Sequence, residues 1–174
     1  MLKYHTLTDW AAVAIHNMWR DAVRSVRKEL PDAVLVGGAI RDTYLARQVK
    51  DQDFMTTRTP TGGPFWPTLF GHPLRSCLAK RDSDYDNDSH MICAYENYDK
   101  TINILHVSSI VGRILEFPDS LSQIWYDGES VFCTHGFSNA VDTGVVTYKP
   151  NMSEERLARI KAKYPDFKFE YLED

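Results

Sequence analysis

Apolar residues recur at helical spacing near the start of the chain. They recur at intervals of three or four residues, with two adjacent pairs, on one predicted face at Trp10, Ala14, Ile15, Met18, Ala22, Val23 and Val26. This period predicts a long amphipathic helix over residues 8–30. Thr8 is the expected N-terminal cap, and Pro31 ends the helix.

A different pattern follows this helix. The apolar run at 33–36 predicts a short buried strand, and Gly37 and Gly38 predict a turn directly after it. Residues 39–47 return to helical spacing, and residues 51–55 have the composition of a second strand. The predicted local order is therefore strand, glycine turn, helix and strand.

Further elements are predicted downstream. Residues 90–96 and 101–107 are two strands that pair as a hairpin through a short turn. Residues 153–172 begin as a capped helix, in which Leu157 and Ile160 face inward, and continue as a strand with alternating aromatic residues.

Composition and charge are those of an ordinary globular protein. The 174 residues are 43% hydrophobic and 25% charged, which fits one domain with its own core. The net charge of -4 argues against bulk electrostatic attraction to nucleic acid, although it permits a local basic groove.

Cysteine usage and hydropathy indicate a cellular location. Cys77, Cys93 and Cys133 form no C-x-x-C pair, which argues against a zinc knuckle or a disulfide framework. No stretch approaches the roughly 18 apolar residues of a membrane helix, and the N-terminus lacks a signal pattern. We expect a cytoplasmic protein without a membrane partner, in the host cytoplasm if the chain is viral. The oligomeric state stays open.

The glycine turn and the helix after it are a candidate phosphate site. Glycines at a strand end let backbone N–H groups approach a ligand closely, and a helix N-terminus favours anions. Arg41 lies early in this helix, where its charge is unfavourable unless a ligand phosphate or Asp42 lies nearby. A glycine pair alone is more often a simple turn, so its interpretation depends on neighbouring motifs.

Asp51 and Asp53 are a candidate metal site. Alternate strand residues point to the same face, so two carboxylates lie side by side and repel unless a cation or a proton lies between them. Mg²⁺, or Mn²⁺ in its place, suits this arrangement because Mg²⁺ favours one or two carboxylates plus substrate phosphates. A D-x-D pattern is also common on exposed loops, but the glycine turn one short helix away favours the metal site.

A known signature matches this segment without a gap. It is carried here by Gly37-Gly38-Ala39-Ile40-Arg41-Asp42, Leu45, Arg47 and Asp51-Gln52-Asp53. These residues resemble the head-domain signature G-G-x-V-R-D-x-L-L-G-R-x-P-x-D-x-D of class II tRNA nucleotidyltransferases (CCA-adding enzymes) and bacterial poly(A) polymerases, in the polymerase-beta-like superfamily. Ala46 and Val49 depart from it, since the family tends to have glycine and proline there. Residues 120–146 show a looser similarity to the strand and glycine loop that finish the head domain.

The resemblance implies an α+β nucleotidyltransferase fold, in which helices flank a mixed central sheet. It implies a single nucleotidyltransferase-like domain over residues 1–174, with a core at about 32–148. Helix 8–30 would precede this core, and the helix and strand of 153–172 would follow it. Because this C-terminal part is too short for the family's neck, body and tail, we expect a head that stands alone, similar to small nucleotidyltransferase-like proteins of bacteriophages.

The resemblance also implies a reaction and residue roles. A hydroxyl group would attack the α-phosphorus of a nucleoside triphosphate, and pyrophosphate would leave, with two metal ions neutralising charge. Asp51 and Asp53 would be the catalytic carboxylates that hold Mg²⁺ or Mn²⁺, while Gly37, Gly38 and Arg41 would bind the triphosphate. The acceptor would be an RNA end, a protein or a small molecule.

A third metal ligand decides between two function classes. The superfamily usually adds a carboxylate from a neighbouring strand, and Asn103 occupies the position where we expect it, with Glu96 as the alternative. The intact pair Asp51 and Asp53 favours a metal-dependent nucleotidyltransferase. The neutral Asn103 favours a catalytically weakened nucleotide-binding or regulatory (anti-defence) interaction protein. Asp42 is expected to fix Arg41 or its helix.

Two segments in the middle of the chain receive separate predictions. The composition of residues 59–67 predicts a mobile loop that closes over a nucleotide. Residues 82–89 resemble the start of a calcium loop, but an acidic surface loop is the favoured interpretation. Arg75, Lys80 and Arg81 are candidates for phosphate contacts, although a solvated surface charge is the favoured interpretation of each one.

Overall fold

A computed structural model describes residues 3–58, 74–76, 90–97 and 99–172. The predicted loop at 59–67 and the acidic segment at 82–89 lie outside these residues, as do Lys80, Arg81 and the side chain of Arg75. None of the helices in the described ranges combines the length and apolar content that crossing a membrane requires.

Strands in the described residues form one mixed sheet and one small parallel pair. The ten strands are β1 (Tyr4–Leu7), β2 (Val34–Val36), β3 (Gln52–Thr56), β4 (Arg75–Ser76), β5 (Met91–Glu96), β6 (Ile102–Val107), β7 (Ile124–Tyr126), β8 (Val131–Thr134), β9 (Val145–Tyr148) and β10 (Lys168–Tyr171). The large sheet has the order β1-β8-β7-β2-β3-β6-β5-β4. Strands β3 and β6 pair in parallel, and the other neighbours in this sheet pair antiparallel. Strands β9 and β10 pair in parallel.

Helices in the described residues pack around this sheet. They are α1 (Trp10–Arg27), α2 (Gly38–Tyr44), α3 (Ile110–Leu115), α4 (His135–Thr143) and α5 (Glu154–Lys163), and a short 3-10 helix (Ser120–Ser122) precedes β7. One apolar cluster joins α1, α2, α4 and α5 to one face of the sheet, and a second cluster joins α3 to the other face. The predicted α+β fold, a mixed central sheet flanked by helices, is therefore confirmed.

Helix α1 differs from its prediction at both ends. Asp9, not Thr8, is the cap, because its carboxylate accepts a hydrogen bond from the Ala12 N–H at 2.9 Å. Aspartate caps a helix at least as well as threonine, so two adjacent candidates were available. The helix ends at Arg27, where the following N–H groups bond back to carbonyls within its last turn.

The predicted apolar face of α1 is only partly buried. Ile15, Val23 and Val26 are fully buried, whereas Trp10 is 89% exposed and Met18 is 63% exposed. The apolar stripe is wider than the surface by which α1 contacts the sheet. Helical spacing identifies such a stripe but does not show which edge of it packs.

Helix α2 ends earlier than predicted, in a tight reversal. The Arg47 N–H bonds to the Asp42 carbonyl and the Ala46 N–H bonds to the Thr43 carbonyl, which is the Schellman arrangement. Ala46 has φ 55°, the left-handed conformation that favours glycine. The departure from the family signature at Ala46 therefore falls at the position whose backbone favours glycine.

A helix, α4, occupies residues 135–143 of the segment 120–146, in which a glycine loop was expected. Gly136 lies in the first turn of α4, which Thr134 caps by accepting the Phe137 N–H at 3.1 Å. A Cβ at Gly136 would lie 3.2 Å from the Gln123 side chain. This glycine thus permits close packing of the helix start in place of forming a loop.

Candidate active site

Gly37 and Gly38 have different roles in the turn after β2. Gly37 has φ 59° and ψ -127°, a conformation that residues with a side chain avoid. Gly38 opens helix α2, and a Cβ there would lie 3.4 Å from Arg41 Nη2. Gly37 therefore lets the chain turn, and Gly38 lies within contact distance of the Arg41 guanidinium group.

Arg41 is oriented by its neighbour Asp42 on α2 and by groups on two other segments, at Ser122 and Tyr164. Its Nε donates to Asp42 Oδ1 at 3.0 Å, and its Nη1 donates to Ser122 Oγ at 3.2 Å. The guanidinium carbon also lies 5.4 Å from the centre of the Tyr164 ring. The side chain is only 14% exposed, so the direction of Arg41 is determined by tertiary contacts.

Asp53 lies at the centre of the sheet beside Asn103. Strand β3 begins at Gln52, and Asp53 is in register with Val36 of β2 and with Asn103 of β6. The Asn103 Nδ2 group donates to Asp53 Oδ1 at 2.9 Å. The structure therefore places Asn103 against Asp53 from the adjacent strand, the position that the family resemblance implies.

The two aspartates influence each other electrostatically. Burial, followed by the charge of Asp51, raises the pKa of Asp53 to about 6, and the hydrogen bond from Asn103 opposes this shift. A carboxyl group with such a pKa is held in a position where its negative charge lacks full compensation. Asp51 and Asp53 therefore lie close enough for the charge of one to affect the ionisation of the other.

The residues predicted from the sequence converge on one cavity of about 330 Å³. It is lined by Gly38, Arg41, Lys50, Asp51, Asp53, Asn103, Arg156, Arg159, Ile160 and Lys163. Gly37 is not part of the lining and contributes through the turn. The cavity lining thus has one carboxylate and one amide on the sheet, the Asp51 carboxylate directly before β3, and five cationic side chains.

Sequence comparisons and fold comparisons give different results. No protein-family model and no curated protein matches the sequence. Solved structures do match: the Bacillus stearothermophilus CCA-adding enzyme in complex with CTP aligns at a TM-score of 0.55 and 17% identity, over 87% of this chain and 40% of that chain. The Thermotoga maritima CCA-adding enzyme complexed with tRNA aligns at 0.57 and 14% identity, over 99% and 44%. A CCA-adding enzyme with ATP aligns at 0.57 and 15% identity, over 98% and 43%.

The fold is that of a nucleotidyltransferase. The chain spans less than half the length of these solved structures. At this level of identity the likeness concerns the fold, so the roles of individual residues in this nucleotidyltransferase fold rest on the geometry of the cavity.

The basic residues of α5 were missed by the sequence analysis. Arg156, Arg159 and Lys163, all on α5, line the same cavity as the carboxylates. Their spacing of three and four residues places them on one face of the helix, and this was the available signal. A cationic stripe is usually a solvated surface, and only the docking of α5 turns it toward Asp51 and Asp53.

Buried contacts hold α5 in this position. Ser153 caps the helix by accepting the Arg156 N–H at 3.1 Å, and Ile160 and Tyr164 are buried in the core. Arg156 Nη2 lies 3.6 Å from the buried carboxylate of Asp119. Helix α5 and its basic side chains are therefore attached firmly to the rest of the nucleotidyltransferase fold.

Glu96 does not complete a metal cage. It is in register with Asn103 on the side away from Asp53, two strands from Asp53, and it does not line the cavity. In the described part of the chain, no three acidic, histidine or cysteine side chains are grouped closely enough to hold a metal. The alternative of Glu96 as a third ligand beside Asp51 and Asp53 is therefore wrong in this geometry.

Proposed function

We propose that this protein is a metal-dependent nucleotidyltransferase, which transfers a nucleoside monophosphate from a nucleoside triphosphate to a hydroxyl acceptor. The observation that carries the proposal is the cavity that Asp51 and Asp53 line together with Arg41, Arg156 and Arg159. Five cationic side chains outnumber the two carboxylates in the lining and call for an anion, while the adjacent carboxylates call for a cation between them. A metal-bound triphosphate satisfies both needs at once.

The donor set fits Mg²⁺ or Mn²⁺. Asp51 and Asp53 would hold the metal, and Asn103 contributes an amide beside them. Two carboxylates without a third acidic ligand suit Mg²⁺, which completes its coordination with phosphate oxygens and water. When bound, the metal supplies neutralisation of charge on the reacting phosphate and on the attacking oxygen.

The protein's own residues would bind and orient the triphosphate. Gly38 leaves the start of α2 accessible, and Arg41 lies beside it with its guanidinium already oriented. Arg156 and Arg159, on α5, line the same cavity. Because arginine donates several hydrogen bonds in a planar arrangement that matches phosphate oxygens, these residues can hold the phosphate chain between α2 and α5.

The proposed transfer is a displacement at the α-phosphorus. The acceptor oxygen forms a bond to this phosphorus, and the bond between phosphorus and the oxygen that leads to the β-phosphate breaks. Pyrophosphate leaves with the electron pair of that bond, and the acceptor hydroxyl proton passes to solvent. Such transfers depend mainly on alignment and electrostatic stabilisation.

The acceptor is proposed as an RNA end, a protein or a small molecule. An RNA end is favoured because the similar solved structures include enzymes in complexes with CTP, ATP and tRNA. Incubation with each radiolabelled triphosphate, Mg²⁺, and separate RNA and protein fractions identifies the acceptor by the fraction that takes up label.

Binding of metal and nucleotide is the first test of this function. ATP with Mg²⁺ should raise the melting temperature of the wild type, since a ligand stabilises the state that binds it. The double variant Asp51→Ala and Asp53→Ala should lose this response. Asp21→Ala, at a side chain 92% exposed on α1, is the surface control and should keep it. Equal responses from the wild type and the double variant would contradict the proposed metal site.

A second candidate function is a regulatory nucleotide-binding protein with the same fold. Asn103 favours it, because a neutral amide beside Asp53 provides less negative charge than a third carboxylate. The two candidates differ in one result. A regulator would bind the metal-bound triphosphate and retain it unchanged, without release of pyrophosphate in any acceptor fraction.

A further inference from the structure

Asp42 lies outside the cavity lining and joins the two cationic walls of the cavity, which are the side chains of α2 and those of α5. Its side chain is only 3% exposed and does not line the cavity. The carboxylate accepts hydrogen bonds from Arg41 Nε at 3.0 Å, from the Lys163 ammonium and from the Tyr164 hydroxyl. This carboxylate, itself on α2, thus holds Arg41 of the same helix and joins α2 to the C-terminal end of α5 through Lys163 and Tyr164.

Two of the cations that line the cavity therefore share one buried counter-ion. Arg41 belongs to α2 and Lys163 belongs to α5. Arg41 has a second acceptor in Ser122, and Lys163 has a second acceptor in the Gln48 carbonyl at 3.3 Å. These contacts leave Arg41 Nη2 beside Gly38, on the side where the phosphate chain is proposed to bind.

We propose that Asp42 is a positioning residue, which acts through Arg41 and Lys163 to hold the two cationic walls at the separation that a triphosphate requires. This inference rests on the proposed function of the cavity. It gives the final aspartate of the Gly37–Asp42 motif a role in binding without contact to the ligand.

Electrostatics explain why a carboxylate is needed at this position. Without it, Arg41 and Lys163 would repel each other, and each long side chain would regain rotational freedom. Burial raises the pKa of Asp42, but Arg41, Lys163 and Tyr164 lower it more, so its net pKa is below the usual value. Asp42 is therefore ionised at neutral pH and neutralises part of the charge of both walls before a ligand arrives.

The test is the isosteric variant Asp42→Asn, measured well below its melting temperature. Dissociation constants are determined for a nucleoside monophosphate and for the matching triphosphate, both with Mg²⁺. In the wild type, the triphosphate should bind more tightly because its phosphates contact both walls. In Asp42→Asn this advantage should fall by about tenfold, whereas the monophosphate should change by less than about threefold.

Asp9→Asn is the matched control for stability. The Asp9 carboxylate also contacts α2, because it accepts the Tyr44 hydroxyl at 2.8 Å, and it caps α1. The control should lower the melting temperature but keep the triphosphate advantage. A merely structural role for Asp42 predicts the same pattern for both variants, and that result would overturn the inference.

A second variant tests the inference if Asp42→Asn does not fold. Ser122→Ala removes the other acceptor of Arg41 without changing any charge, and Ser122 does not line the cavity. It should reduce the triphosphate advantage by a few-fold, and an unchanged advantage would count against orientation of Arg41. A wild type that binds no triphosphate would instead refute the proposed function itself.

Discussion

Replacing Asn103 by aspartate tests the charge balance at the carboxylate pair. In the wild type, Asn103 Nδ2 donates to Asp53 Oδ1 at 2.9 Å. The variant Asn103→Asp has nearly the same shape, but it replaces this donor with a third carboxylate. In the metal-free protein, the pair would lose a stabilising hydrogen bond and gain a repulsive charge.

The size of the effect follows from these two changes. A hydrogen bond to a charged group contributes about 1.5–3 kcal/mol, and the new like-charge contact adds to that loss. We expect the metal-free variant to lose about 3 kcal/mol of unfolding free energy. For a chain of this length, this corresponds to a fall in melting temperature of about 6–12 °C.

Mg²⁺ should reverse this destabilisation. Three carboxylates bind a divalent cation more tightly than two, so the melting temperature of Asn103→Asp should rise with Mg²⁺ more steeply than that of the wild type. Scanning calorimetry with and without Mg²⁺ measures both effects. Any transferase activity should also increase, because the added charge favours metal binding next to the acceptor.

A matched substitution separates this effect from a general change in charge. Asn17→Asp makes the same chemical change at an exposed position of α1 and should respond to Mg²⁺ as the wild type does. If Asn103→Asp is as stable as the wild type without metal and indifferent to Mg²⁺, the side chain of residue 103 does not face a metal site, and the reasoning is refuted.

Three other predictions follow from the structure. The pKa of Asp53 is raised to about 6 in the folded state, so folding favours the protonated form of this group. Relative to Asp53→Asn, the metal-free wild type should therefore lose at most about 3 kcal/mol of stability as the pH rises from 4 to 7. The Mg²⁺-induced rise in melting temperature should grow over the same pH range. Ala46→Gly should stabilise the protein by up to about 1 kcal/mol in denaturant unfolding, because Ala46 has φ 55° at the end of α2; no gain would argue against the left-handed conformation. Gly37→Ala should cost about 1–3 kcal/mol of stability through backbone strain. Gly38→Ala should leave stability nearly unchanged and weaken triphosphate binding, because its methyl group would occupy part of the cavity that Gly38 lines; equal effects of the two changes on stability would contradict their separate roles.

Local sequence was sufficient to predict the elements that build the sheet side of the cavity. The turn at Gly37 and Gly38, the helix that carries Arg41, and the strand that carries Asp53 are consecutive in the chain. Their signals act over a few residues: glycine permits a backbone conformation that other residues avoid, and alternation places strand residues on the same face. For this reason the central part of the fold and the candidate carboxylates could be predicted.

The position of the basic side chains of α5 was decided only by tertiary structure. Arg156 and Lys163 face the cavity because Ile160 and Tyr164 are buried against distant parts of the chain, and Asp42 connects to Lys163 across more than a hundred residues. Such contacts depend on which apolar surfaces meet, and the spacing of residues in one helix does not specify its partner. The same reason explains why Trp10 was predicted to be inside and is exposed. The chain's local pattern determines which faces and turns exist, and the packing of distant segments determines which charges meet in one site.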